Sequence, residues 1–320
     1  MTNPLAEMSG PQIGQLIAAL DSLKEGDLAV DMLIACGPSA IPHLADFLLK
    51  GSPRTIALPR CRAVRALGGL GARETLIAYF RDYERSPDSA VVFAEDAVRS
   101  AAARELARWN CEEVFEVLLE GAAQRMTGGL AVALGEFRRP ESIPLLFQVL
   151  EDDLCRQEAM NSLRKQPEAA RQFAILSIRG LTAVTLDGPS ARCRQRAVVQ
   201  LLSELHVTQG DWPDLLRFLS AGDPATVVAA ARIGFLSGPE EAYPEIAAAL
   251  LRAAEMPLFV QEDEVERLLD AHPEIASKIA LEVVKNKKDS GEKPNWLSPS
   301  WRILNHVLGR SLESGRRGSS

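Results

Sequence analysis

The sequence predicts an all-α, right-handed superhelical solenoid of about eight helical hairpins. Three observations lead there. The first is a pattern that recurs four times: an apolar residue, a proline, then apolar residues two and six positions beyond the proline. It reads Ile41-Pro42-His43-Leu44 with Leu48, Ile143-Pro144-Leu145-Leu146 with Leu150, Trp212-Pro213-Asp214-Leu215 with Leu219, and Tyr243-Pro244-Glu245-Ile246 with Leu250. The prolines lie 102, 69 and 31 residues apart. Those gaps are near three, two and one times a period of about 34, the length of a helical hairpin in a repeat array. The second observation is that nearly every apolar run has helical spacing and strand signals are scarce. The third is composition: 47% of the chain is hydrophobic but only 5% aromatic, which suits thin helical layers packed through small side chains.

The elements follow in order. Residues 1–10 read as an N-terminal tail. Hairpins are expected near 11–37, 38–71, 72–110, 111–139, 140–167, 168–206, 207–238 and 239–273, with a closing helix at 274–286, so that the array occupies 11–284. The best-formed unit runs from Pro38 to Gly71. Gly37 can end the preceding helix in a left-handed cap, and Pro38 suits the first turn of the next. Ile41, Leu44 and Leu48 share one face of the first helix, and Gly51-Ser52-Pro53 breaks it. Cys61, Val64, Leu67 and Gly68 form the buried stripe of the second. Units 72–110 and 168–206 are longer, and Arg85-Ser86-Pro87-Asp88-Ser89 and Leu186-Asp187-Gly188-Pro189-Ser190 read as loop insertions. Residues 285–295 are polar and read as a flexible linker. Residues 296–312 form an amphipathic helix starting near Pro299 behind a Ser298 cap, with Trp301, Leu304 and Leu308 on one stripe. Residues 313–320 read as a disordered tail. Trp296, Trp301, Ile303, Leu304 and Leu308 are too apolar to stay solvated, so this helix is expected to cap the array or to dock on a partner.

The hairpin 38–71 resembles a HEAT repeat, in particular the HEAT-like repeats shared with phycobilisome lyases. The resemblance rests on Ile41-Pro42-His43-Leu44 in the first helix and Ala63-Val64-Arg65-Ala66-Leu67-Gly68 in the second. Echoes of the second helix occur at Ala97–Ala102, Leu130–Gly135 and Val228–Gly234. The resemblance covers roughly residues 11 to 284 and implies architecture more than function, because such repeats serve unrelated roles.

The net charge of −7 gives no global attraction to nucleic acid or anionic membrane. Five cysteines with no CxxC argue for reduced thiols in a cytoplasmic protein. The N-terminus lacks the basic and apolar regions of a secretory signal, and no apolar run approaches the ~20 residues of a membrane span.

Candidate chemistry is thin. His43, His206, His272 and His306 are far apart, and no HxxxH, HExxH or His-Glu dipeptide occurs, so no metal or other cofactor is expected. The last absence counts against the iron-binding activity of some HEAT-like enzymes. No phosphate-loop or GxSxG motif is present, and Gly68-Gly69-Leu70-Gly71 follows a helix, as a terminator does. Cys61 and Cys193 sit in Arg-Cys-Arg triplets, where flanking charge favours thiolate, but Cys61 also falls on a core stripe. Asp152-Asp153 and Glu262-Asp263-Glu264 suit helix N-termini better than an acid–base dyad.

The remaining feature is basic. Between Phe47 and Arg73 there are six positive residues and no acid: Lys50, Arg54, Arg60, Arg62, Arg65 and Arg73. Arg192, Arg194 and Arg196 form a second cluster. Arg62 and Arg196 each stand two residues before a core valine and are expected to face away from the core. In HEAT-like arrays, as the resemblance implies, second helices line the concave surface. Arg54, Arg62, Arg192 and Arg196 are therefore the candidate partner-binding residues, for an acidic segment of a protein. The alternative is pairing with carboxylates of neighbouring repeats, expected for Arg65. The function expected is a non-catalytic scaffold or adaptor gripping a partner protein. Two other readings stay open: DNA binding or repair, disfavoured by the acidic total charge, and a tetrapyrrole (bilin) lyase or lyase chaperone, implied by the resemblance alone.

Overall fold

The computed structural model describes residues 9–51, 54–83, 86–180, 189–257, 259–295 and 297–317, with 189–191 and 311–317 described as backbone only. The described chain is all-helical and contains no strand. It divides into two compact units, residues 1–166 and 167–320.

Unit 1 consists of α1 (Gly10–Ala19), α2 (Gly26–Ala35), α3 (Ile41–Lys50), α4 (Leu58–Gly69), α5 (Arg73–Arg81), α6 (Ser89–Leu106), α7 (Glu112–Gln124), α8 (Gly128–Phe137), α9 (Ile143–Gln148) and α10 (Arg156–Arg164). These helices pair as hairpins and lie in two layers. In one layer α1 packs on α3, α3 on α5 and α5 on α7; in the other α2 packs on α4, α4 on α6, α6 on α8 and α8 on α10. Unit 2 contains α11 (Pro167–Gly180), α12 (Pro189–Glu204), α13 (Trp212–Leu215), α14 (Pro224–Ser237), α15 (Tyr243–Ala253), α16 (Glu262–Asp270), α17 (Pro273–Asp289) and α18 (Pro299–Arg317). Here α12 packs on α14 and α14 on α16, while α11 packs on α13 and α15 on α17.

The proline pattern has one structural meaning at all four sites. Pro42, Pro144, Pro213 and Pro244 are each the second residue of a helix, where an amide has no intrahelical acceptor. Each of those helices follows a 3₁₀ turn: Gly37–Ala40, Pro140–Ser142, Gln209–Asp211 and Glu240–Ala242. The apolar residues two and six positions on, Leu44 and Leu48, Leu146 and Leu150, Leu215 and Leu219, Ile246 and Leu250, are all buried. Two first helices are shorter than their pattern suggests. α9 and α13 give way to 3₁₀ turns at Val149–Glu151 and Leu216–Ser220. Gly37 and Gly71 take left-handed φ of 74° and 71° where α2 and α4 end, a conformation that costs any residue with a Cβ.

The small residues of the second helices bring their backbones together. A Cβ on Gly129 of α8 would lie 2.2 Å from the Ser100 carbonyl oxygen of α6. Ser162 of α10 donates to the Ala131 carbonyl of α8 across a 2.8 Å bond.

Of the expected insertions, Arg85 and Leu186–Gly188 lie outside the described residues. Asp88 caps α6 by accepting from the Ala90 amide at 2.8 Å, and Pro189 and Ser190 open α12. The stretch 285–295, read as linker from its polarity, is helical through Asp289. Lys287 accounts for this: it pairs with Glu255 and Glu292 and lies over the Trp301 ring. α18 packs on α15, α16 and α17, burying Trp301, Ile303, Leu304 and Val307. Trp296 lies outside the described residues. No described helix is long and apolar enough to cross a membrane.

Candidate functional site

α4 is rich in arginine on a face that packing partly buries, and the structure corrects the expectation that Arg62 faces away from the core. Arg62 is only 7% exposed. Its Nη1 donates to the carbonyls of Leu20 at 2.7 Å and Ser22 at 2.8 Å, and its Nε lies 3.3 Å from Asp27 Oδ1. Leu20 ends α1, so this guanidinium satisfies carbonyls that the helix end leaves open and complements its dipole. Gly26 makes the approach possible, since a Cβ there would sit 2.1 Å from Arg62 Nη1. Arg65 reaches the same Asp27 at 2.6 Å, as the pairing alternative requires.

The device recurs. Arg60 Nε donates to the Leu48 carbonyl of α3 at 3.1 Å. Arg156 caps Leu150 at 2.7 Å, Arg99 caps Gly121 of α7 at 3.0 Å, and Arg217 donates to Ile178 of α11. Arginines of one helix thus close the C-terminal ends of others.

Glu95 of α6 centres a buried polar cluster. Its Oε2 accepts from Arg60 Nη1 at 2.7 Å and Arg54 Nη2 at 3.3 Å; its Oε1 accepts from Arg60 Nη2 at 3.2 Å and from the Tyr79 hydroxyl. Burial pushes the Glu95 carboxyl up, but the bonds from Arg60 and Tyr79 outweigh it and hold it below its ordinary value. Burial and then Glu95 drive the Tyr79 hydroxyl well above its ordinary range. Sequence reasoning flagged neither Glu95 nor Tyr79. The available signal was an acid on the apolar face of α6, one residue after the buried Ala94 and three before the buried Val98.

Within unit 1, Arg54 and Arg62 are held by different partners. Arg54 turns toward α6 and Arg62 toward α1 and α2, on opposite sides of α4. Arg192 and Arg196 belong to unit 2. Arg192 is exposed in the first turn of α12. Arg196 pairs through two bonds, 3.1 and 2.6 Å, with Asp223, which also caps α14 by accepting from the Thr226 amide at 2.9 Å.

Burial decides the thiol question for three cysteines. It raises Cys36 and Cys61, the latter despite Arg60 and Arg104, and takes Cys155 up to about 11. These are held as neutral thiols, poor nucleophiles at neutral pH. His272 stacks on Phe235 with centroids 4.3 Å apart, and His306 bonds Asp270 at 3.0 Å. Among the described residues no group of three or more His, Cys, Asp or Glu side chains is placed to hold a metal ion.

At the N-terminal end of the layer of second helices in unit 1, large apolar side chains stand in solvent among exposed polar ones. Leu28 of α2 is 60% exposed, Leu58 of α4 41%, Phe93 of α6 73%, and Leu154, two residues before α10, 79%. All four stand at or near the N-terminal ends of members of one layer, on α2, α4, α6 and before α10, with none on α8. No protein-family model matches this chain and no curated protein matches it, so the reading of its function rests on its own geometry.

Proposed function

We propose that the chain is a non-catalytic protein-interaction scaffold built as a right-handed solenoid of HEAT-like hairpins, which binds a partner protein along the layer of second helices. The observation that carries this reading is the recurrence of large exposed apolar side chains, Leu28, Leu58, Phe93 and Leu154, at corresponding ends of stacked helices. A soluble surface rarely repeats such residues unless something covers them. Stacked hairpins also present them on a preformed backbone, which lowers the ordering cost of association. An acidic ligand held by Arg54, Arg62 and Arg196 has less support, because carboxylates and helix-end carbonyls already engage those guanidinium groups. The same pairing weakens the nucleic-acid reading.

The test is affinity capture with three baits: the wild-type chain, a Leu58→Asp/Phe93→Asp variant, and an Arg196→Glu variant. The apolar residues are exposed, so the first variant should keep its melting temperature, surface changes costing within about 0.5 kcal/mol each. A partner retained by the wild type and by Arg196→Glu but lost by Leu58→Asp/Phe93→Asp supports the proposal. A partner lost only with Arg196→Glu would restore the basic surface, and a partner insensitive to all of them removes this layer as the interface.

A further inference from the structure

Arg99 sits in the middle of α6 and is fully buried, at 0% exposure. Its guanidinium is packed between two rings, with Cζ 3.9 Å from the Tyr83 centroid and 4.9 Å from that of Phe80. One nitrogen, Nη2, donates to the Gly121 carbonyl. The other two, Nε and Nη1, have no hydrogen-bond partner, and neither has the buried hydroxyl of Tyr83. The phenol oxygen is tethered to the ring that lies on the guanidinium, so the unsatisfied groups belong to two stacked side chains. Leaving such groups unpaired is costly, most of all for the charged ones.

The surrounding charge is unbalanced in the same sense. Glu95 and Asp96 are the neighbouring carboxylates that act on Arg99. Glu95 is held by Arg60 and Arg54, and Asp96 by Arg125 through two bonds of 2.6 Å. Both neighbouring carboxylates thus face other guanidinium groups. Burial lowers the pKa of Arg99, the mark of a cation short of counter-charge.

We propose that Arg99 and Tyr83 form a binding site for a small oxyanion. The unpaired groups can all donate, as an anion requires. The site is walled by Phe80 and Gly121 within and by the half-buried Tyr83 ring without. An oxyanion supplies acceptors to the unpaired donors and also cancels the surplus charge; a water molecule supplies acceptors alone.

Thermal melting followed by circular dichroism, with inorganic phosphate, sulfate or acetate titrated against chloride at constant ionic strength, tests this. The wild-type melting temperature should climb with the logarithm of oxyanion concentration, as mass action requires. A response to phosphate and sulfate alone assigns a tetrahedral oxyanion, and one that includes acetate extends the site to carboxylates. Arg99→Met should abolish the response and, in oxyanion-free buffer, melt no lower than the wild type. Tyr83→Phe, which keeps the stack and removes one donor, should weaken the apparent affinity several-fold. Equal melting of the wild type in oxyanion and chloride overturns the proposal, as does an unchanged response in Arg99→Met. If Arg99→Met fails to fold, an unchanged affinity in Tyr83→Phe overturns it.

Discussion

Both units tie second helices together with surface ion pairs, such as Arg65 to Asp27 and Arg196 to Asp223, but among the described residues unit 1 adds one that is buried. In unit 1 the tie between α4 and α6 is internal. Arg60 and Glu95 are both buried, and Tyr79 and a helix-end carbonyl complete their hydrogen bonds. In unit 2 the ties are at the surface: Arg196 to Asp223, Arg232 to Glu264, Arg302 to Glu262 and Arg310 to Asp270, with each arginine substantially open to water. Unit 2 instead gains an apolar closure, α18, whose Trp301, Ile303, Leu304 and Val307 cover the end of its helices. A buried pair is unforgiving of the loss of one member, whereas an exposed pair contributes little. The two units should therefore fail in different ways.

The largest effect should come from removing the closure of unit 2. Ending the chain after Gly291 deletes four buried apolar side chains, each contributing about 1.5–3 kcal/mol before the cost of ordering the helix. A lower melting temperature and concentration-dependent association in sedimentation are expected. A truncated chain that stays monomeric and equally stable would show that α18 adds nothing to unit 2.

Next comes Glu95→Gln in unit 1, which leaves Arg60 buried without a counter-charge. The expected loss is about 3–5 kcal/mol in denaturant unfolding. The double replacement Arg60→Met/Glu95→Leu should recover much of it, since no charge is then stranded. A loss below about 1 kcal/mol for Glu95→Gln would place this tie with the surface pairs of unit 2.

Acid sharpens the same comparison. The folded pKa of Glu95 lies below its ordinary 4.5, so its contribution is complete above that pH and disappears as pH falls through the folded value. The stability gap between wild type and Glu95→Gln should accordingly narrow below about pH 4.5 and not at alkaline pH. A gap that is constant from neutrality into acid would remove ionisation as the cause.

The smallest effect belongs to Arg196→Ala. Its guanidinium is half exposed, and Asp223 keeps its bond to the Thr226 amide without it. The melting curve should move by less than about 1 kcal/mol. A loss as large as that for Glu95→Gln would erase the distinction between the units.

The helices and their pairing were legible in the sequence because they depend on local rules. Proline is tolerated at the second helical position, and apolar residues two and six positions later fall on one face, so the four pattern copies fix both the start of a helix and its buried side. The all-helical class and the amphipathic character of α18 follow from the same periodicity. The role of the arginines was not legible. Arg62 and Arg65 lie three residues apart with the same charge, yet one is buried against helix-end carbonyls and the other is half exposed. That difference comes from Gly26 and Leu20, more than thirty residues away, which only packing brings to α4. Glu95, Tyr79 and Arg99 were hidden for the same reason: a polar or charged residue inside a helix reads as solvated until its neighbours are placed, and burial depends on contacts between helices. Sequence by itself determined the helical class, where the four proline-marked helices begin and which of their faces are apolar, because these are properties of one helix at a time. Tertiary structure alone decided which charges leave water, since desolvation is set by what packs on a side chain from elsewhere in the chain.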